Sequence, residues 1–165
     1  MRLGLRMTIN LAALGLVAAG ICCSNSATGH ALIRCHTADL SARLGFIQGA
    51  AGSRFGPVVL TNRSHRVCTL YGYIGGQLYD AAGRPIRTRL VRDRTRPRQV
   101  VTLRHGRSAF AELHWNAIPP GSAHRCPTPR SFAVTPPNAR TQLRLRWTAG
   151  WVCGRGRIDV RPVRE

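Results

Sequence analysis

The sequence contains no lysine, and it has only 6 acidic residues against 25 basic ones, all of them arginine. With so few carboxylates, the paired acids that glycoside hydrolysis requires are poorly supplied. Beyond residue 31, no apolar run approaches the ~18 residues that a transmembrane helix needs. These absences argue against a two-carboxylate hydrolase and against a membrane span in the rest of the chain.

Motifs that carry catalysis are missing as well. The chain has no Gly-x-Ser-x-Gly turn to present a nucleophile, no H-E-x-x-H and no phosphate-cradling glycine-rich loop. Neither of the two methionines lies beyond Met7, which argues against a thioether copper site. We therefore predict that the protein is not an enzyme and has no cofactor and no metal site. One remote alternative is a copper oxidase, in which cleavage after Gly29 would make the amine and imidazole of His30 a copper ligand.

The first residues have the order of a secretory signal peptide. Arg2 and Arg6 form a short positive start, residues 9–21 are apolar except for Asn10, and small residues follow up to Ala31. The apolar run is too short to span a bilayer. We predict a signal peptide over residues 1–31 and a single domain over residues 32–165.

Two adjacent cysteines raise the alternative of a lipoprotein. Cys22 or Cys23 would take a diacylglyceride after the apolar run, but that processing needs a small residue before the cysteine, and Ile21 stands there. Plain secretion is the leading interpretation, and contact with a membrane is expected only if one of these cysteines is lipidated.

Four cysteines remain in the predicted domain, and an even number in an exported chain is typical of disulfides. Three pairings are possible, and we expect Cys35–Cys68 and Cys126–Cys153, with one bond in each half. Each bond would add roughly 3 to 4 kcal/mol in the chain-entropy account of disulfides. Because none of the four lies in a C-x-x-C pair, a zinc site is the weaker use of these cysteines.

Short runs of strand-forming residues between turn residues indicate an all-β fold. Leu143, Leu145 and Trp147 alternate with polar residues, and residues 58–61 form a β-branched run. No stretch keeps the apolar spacing of a helix, and proline and glycine interrupt every candidate. Runs at intervals of about 8–12 residues are typical of a sandwich or a barrel.

Residues 84–98 are rich in arginine and poor in apolar residues. They form either a solvated edge strand and loop, since charged edges discourage aggregation, or a strip that binds a polyanion. Nearby aromatic residues such as Tyr71 and Tyr73 offer faces for stacking beside arginine. The candidate polyanion-binding residues are Arg84, Arg87, Arg89, Arg92, Arg94, Arg96 and Arg98.

The order of several motifs resembles an exported actinobacterial family, domain of unknown function 4232. The matching stretches are Leu60-Thr61-Asn62, Cys68-Thr69-Leu70-Tyr71-Gly72-Tyr73, Asp80-Ala81-Ala82-Gly83, His114-Trp115, and the segments at Cys126 and Cys153. The resemblance spans the chain from about Cys35 to Val163, although Ile74 stands where such proteins often place a proline. It implies an immunoglobulin-like β-sandwich stapled by two disulfides, and it supplies no catalytic residue.

Together these observations predict a secreted or cell-envelope domain that acts as a non-enzymatic binding or interaction module. The alternative is an arginine-rich binder of polyanions, because a surface with this excess of positive charge attracts nucleic acid, acidic glycan or anionic lipid. No specific nucleic-acid motif is present. The partner is not identified by the sequence, and an anionic polymer of the cell envelope is one candidate.

Overall fold

The computed structural model describes residues 33–119, 121 and 125–165. The predicted signal peptide, the lipidation candidates Cys22 and Cys23, and His30 of the copper hypothesis lie outside the described residues. No helix within those ranges is long and apolar enough to cross a membrane.

The described residues form twelve strands and two short 3₁₀ turns, so the predicted all-β class is confirmed. The 3₁₀ turns cover Thr37–Asp39 and Gly154–Gly156. The strands are β1 (Leu40–Leu44), β2 (Gln48–Ala50), β3 (Ser53–Asn62), β4 (Cys68–Tyr71), β5 (Gly75–Tyr79), β6 (Pro85–Ile86), β7 (Arg89–Arg92), β8 (Val100–Leu103), β9 (Ser108–Asn116), β10 (Ser131–Thr135), β11 (Leu143–Arg146) and β12 (Arg157–Val160).

The strands make three sheets. The largest has six strands in the order β1-β3-β9-β12-β7, with β2 paired to β3, and a second has four in the order β11-β10-β5-β6. Strands β4 and β8 form a separate two-stranded ribbon. All pairs are antiparallel except β7 and β12, which run parallel.

One apolar core joins the three sheets. Alternate residues of β9 face it, so Ala111 and Leu113 are buried while Glu112 between them faces out. The indoles of Trp115 and Trp147 meet in this core with ring centroids 5.0 Å apart. Burial of side chains from all three sheets in one cluster gives the domain a sandwich-like architecture.

Both predicted disulfides are formed. Cys35 bonds Cys68 across 33 residues, and Cys126 bonds Cys153 across 27. The first ties the segment before β1 to the start of β4, and the second ties the loop before β10 to the turn before β12. Each closes a loop long enough to lower the entropy of the unfolded chain appreciably.

The arginine-rich segment contains an edge strand, as one of the two interpretations of the sequence expected. Its strand β7 pairs with β12 at the edge of the six-stranded sheet, with Arg89 opposite Arg157. Gly156 precedes β12 with a φ of 76°, and a Cβ at this position would collide with the carbonyl of Arg87. Glycine therefore allows the close approach that begins this parallel pairing.

Candidate anion-binding site

A strongly basic cleft of about 480 Å³ lies within the described residues. It lies where β4 ends, β5 approaches and the loop after β7 crosses toward β8. Its walls are arginine, tyrosine and one proline: Tyr71, Tyr73, Arg92, Arg94, Arg96, Pro97 and Arg98. We refer to it below as the Arg–Tyr cleft.

A glycine sets the two tyrosines in place. Gly72 has a φ of 103°, a left-handed conformation that side chains other than glycine rarely adopt. Its carbonyl accepts a hydrogen bond of 2.8 Å from the Val163 N–H, which ties the turn to the end of the chain. Tyr73 is fixed at its other end because its hydroxyl donates to the carbonyl oxygen of Asp93 at 3.1 Å.

The tyrosine rings in turn orient two arginines. The guanidinium carbon of Arg92 lies 5.5 Å from the ring centroid of Tyr73, and that of Arg98 lies 5.3 Å from the centroid of Tyr71. Cation–π contacts of this kind contribute ~0.5 to 1 kcal/mol at exposed sites. Their effect here is to hold both guanidinium groups at the wall of the cleft.

Asp93 is the single acidic residue in the segment, and its carboxylate is fully occupied. Oδ1 accepts hydrogen bonds from the hydroxyl of Thr95 at 2.6 Å and from its N–H at 2.9 Å. Oδ2 accepts from Nε of Arg161 at 3.0 Å. The Thr95 hydrogen bonds, followed by Arg161, lower the pKa of Asp93 from 3.8 to about 2. The carboxylate therefore stays ionised and paired outside the cleft.

The charge of the cleft is consequently not neutralised. In the described part of the chain, every Asp and Glu side chain before Glu165 forms a salt bridge, and none of these bridges involves Arg92, Arg94, Arg96 or Arg98. Guanidinium groups present planar pairs of N–H donors that match phosphate and carboxylate oxygens. The arrangement is suited to holding an anionic group.

The seven arginines predicted from sequence do not form one strip. Four of them line the Arg–Tyr cleft. Arg84 is instead paired with Asp80 at 2.8 Å in the β5–β6 turn, and Arg87 and Arg89 lie before and within β7 without lining the cleft. Folding of the segment into two strands and a loop separates the first three from the last four.

Two parts of this site were not predicted from the sequence. The anchoring role of Asp93 has a local signal, because an Asp two residues before a Thr commonly forms a side-chain-to-backbone turn. The partner Arg161 has none, since it lies 68 residues further along the chain.

Outside the cleft, the described residues form no metal site. No group of three or more His, Cys, Asp or Glu side chains there has the geometry to hold an ion. His114 stacks on Phe55 with ring centroids 4.4 Å apart, and its Nδ1 lies 3.7 Å from a carboxylate oxygen of Asp159.

These features define a small, disulfide-stapled β domain with a cationic cleft. The model of the family described as Domain of unknown function (DUF4232) matches residues 35–164, and the chain belongs to this family. The resemblance seen in the sequence motifs is thereby confirmed. No curated protein and no solved structure matches the chain. The family description assigns no activity, so the function has to be argued from the cleft.

Proposed function

We propose that this protein is a non-enzymatic binding module, exported to the cell envelope or secreted, that holds an anionic group of its ligand in the Arg–Tyr cleft. The observation that carries the proposal is the set of four arginines that face one cavity and have no carboxylate partner within the described part of the chain. Bringing four positive charges together costs free energy through mutual repulsion. An anion bound in the cleft would remove that cost.

The construction of the cleft supports binding more than catalysis. Its walls contain no histidine, no cysteine and no serine, and the neighbouring Asp93 carboxylate is engaged by Thr95 and Arg161. General acid–base catalysis needs a group that exchanges protons near neutral pH. Arginine does not do this, because its guanidinium stays protonated.

Export is supported by the disulfides. Both bonds are formed, and disulfides persist in oxidising compartments and are rare in the cytosol. The basic residues at the start of the sequence, the apolar run and the small residues that follow have the order of a signal peptide.

The proposal is tested by titrating the oxidised protein with inorganic pyrophosphate in a calorimeter at low salt. We expect saturable binding that the double variant R94S/R96S weakens by roughly 25-fold, on the basis of ~1 kcal/mol for each lost charge pair. Arg92 and Arg98 are left in place because they pack on the tyrosines.

The matched control is R130S/R146S, which removes two exposed arginines outside the cleft and keeps the same net charge as R94S/R96S. It should bind pyrophosphate like the unchanged protein. Equal weakening by both double variants would show that net charge alone attracts the anion, and it would refute the cleft as the site.

A further inference from the structure

We infer that the Arg–Tyr cleft is one end of a longer track that binds a linear phosphate polymer along the β4–β8 ribbon. The other end is a loop tip formed by Arg63, His65, Arg104, His105 and Arg107, which we call the Arg–His tip. This inference rests on the proposed function, because it takes the cleft as the primary anion site and extends it.

The ribbon connects the two ends directly. Tyr71 of the cleft pairs with Val100, and three residues back along β4, Cys68 pairs with Leu103 beside the tip. At ~3.4 Å per residue, the two ends are about 10 Å apart. A single phosphate group cannot contact both ends, whereas a chain of several phosphates can.

The outer face of the ribbon is compatible with such a chain. Strand alternation buries Leu70, Val101 and Leu103 and turns Thr69 and Thr102, which are paired, to the outside. The exposed Thr102 hydroxyl can donate a hydrogen bond to a phosphate oxygen, whereas the Thr69 hydroxyl donates to the carbonyl of Ile33 at 3.5 Å. Neither β4 nor β8 contains an acidic residue, so no carboxylate of the ribbon repels the polymer.

A buried asparagine holds the tip together. The side chain of Asn62 is fully buried and donates to the carbonyls of Arg66 at 2.7 Å and Leu103 at 2.9 Å, while its oxygen accepts from the N–H of Ser64. The backbone of Asn62 also bonds the loop after β8: its carbonyl accepts from the N–H of Gly106, and its N–H donates to the carbonyl of Arg107. One residue therefore ties the loop after β3 to the loop after β8.

The two loops bring a pair of histidines face to face. The rings of His65 and His105 are stacked with centroids 5.0 Å apart and planes 18° apart. Nδ1 of His105 lies 3.0 Å from the carbonyl oxygen of Ser64, which only accepts hydrogen bonds, so Nδ1 carries the proton. The stack gives the tip a fixed shape in spite of its exposure to solvent.

The charge of the tip matches that of the cleft. Arg63, Arg104 and Arg107 are exposed and form no salt bridge with the carboxylates of the described residues. Their neighbour Arg66 is excluded from the tip, because it is paired with Asp39 at 3.0 Å. The β4–β8 ribbon, which contains no acidic residue, therefore has a cluster of arginines without salt bridges among the described residues at each of its two ends.

This separation predicts a dependence on chain length. Once the cleft holds one part of a polymer, the tip meets the next part at a high effective concentration. The affinity for the polymer therefore rises, whereas the affinity for a small anion, which reaches only one end, does not. We therefore expect long-chain polyphosphate to bind more tightly than pyrophosphate at equal concentration of phosphate groups.

The experiment compares pyrophosphate and long-chain polyphosphate as probes of the unchanged protein, R104S/R107S at the tip, R94S/R96S at the cleft and the control R130S/R146S. Circular dichroism checks that each variant is folded. The tip variant should lose about tenfold or more in polyphosphate affinity, with a salt slope lower by about 2, because each phosphate contact contributes about 1 to that slope. Its affinity for pyrophosphate should not change.

The outcomes separate the inference from the proposed function. If R104S/R107S binds polyphosphate like the control while R94S/R96S loses pyrophosphate, the track is refuted and the cleft stands. If R94S/R96S keeps its affinity for pyrophosphate, the cleft itself is refuted. Val67, just before β4, and Val100, at the start of β8, are the exposed apolar side chains at the ribbon that a lipid surface could cover. If phosphatidylglycerol vesicles outcompete polyphosphate, and if V67S/V100S removes this advantage, the ligand is a lipid surface and the polymer is refuted.

Discussion

Two groups of arginines in this protein lie close together and have opposite surroundings. Arg157, Arg161 and Arg164 face the carboxylates of Asp93, Glu112 and Asp159 on the outer side of the six-stranded sheet. The arginines of the Arg–Tyr cleft have no carboxylate partner in the described residues, and two of them, Arg92 and Arg98, rest on tyrosine rings instead. Arginine thus links strands in the first group and presents positive charge to solvent in the second.

The difference shows that the abundance of arginine does not by itself mark a site. Arg161 bonds Asp93 at 3.0 Å and Glu112 at 2.8 Å, so it joins the end of β7 to β9 across the sheet. By drawing Asp93 to this side, it also keeps a carboxylate out of the cleft. The paired arginines therefore leave the cleft without a carboxylate, and five sets of variants test that relation.

The largest effect is expected from R161M. This variant removes the partner of both Asp93 and Glu112 and should lower the free energy of unfolding by about 2 kcal/mol, between the values for exposed and for buried ion pairs. Urea denaturation near neutral pH measures it. The matched control R84M breaks the exposed pair with Asp80 and should lower the free energy of unfolding far less than R161M does, because exposed ion pairs are screened by solvent.

The same measurement on R94S/R96S sharpens the contrast. Because these arginines have no carboxylate partner, their removal should leave the stability unchanged or raise it slightly through reduced repulsion. A loss of stability as large as that of R161M would mean that the cleft arginines also stabilise the fold. The contrast between the two groups of arginines would then be refuted.

A smaller effect is expected at Asp93 and depends on pH. Its pKa is about 2 in the folded protein, below the ordinary 3.8, so its contribution to stability is present above pH 3.8 and is lost as the pH falls through about 2. D93N should therefore be less stable than the unchanged protein by about 1 kcal/mol at pH 6, a discounted value for a partly exposed group. The difference should shrink as the pH falls below 3.8 and vanish below about pH 2.

T95V tests the cause of that shift. It removes the hydroxyl that contributes most to lowering the Asp93 pKa, so the folded-state pKa should rise toward 3.8. The acid-induced loss of stability should then be smaller and should be complete at a higher pH, because the pKa of the unfolded state, which sets where the loss begins, does not change. Unfolding curves at intervals between pH 2 and pH 6 would show it. Identical acid limbs for T95V and the unchanged protein would contradict the assignment.

The smallest effect is expected from adding a carboxylate to the cleft. Val100 is 59% exposed and pairs with Tyr71, on whose ring Arg98 rests. V100D should pair with Arg98 and lower the affinity for pyrophosphate by about threefold relative to V100N, since exposed ion pairs are worth less than ~1 kcal/mol. Equal affinities of V100D and V100N would show that Arg98 does not contact the anion.

Several sequence patterns were informative because they depend on local physics. The alternation around Leu145 and the run at residues 58–61 predicted strands that the structure contains, since a strand turns successive side chains to opposite faces. The motif Leu60-Thr61-Asn62 pointed to the family without revealing its role. That role became visible only when Asn62 was seen to bond two loops, one of them 41 residues distant.

The sequence alone determined the all-β class, the family and the excess of arginine over acid, while the pairing of the four cysteines was one expectation among three possibilities. Composition and short-range alternation carry these properties, and they need no knowledge of contacts between distant residues. Only the tertiary structure decided which arginines are free. Six acidic residues cannot neutralise 25 arginines, and which ones they do neutralise depends on strand register and loop path. By turning Asp93 toward Arg161, the fold left four of the seven candidate arginines around one cleft with no ion-pair partner among the residues that the structure describes.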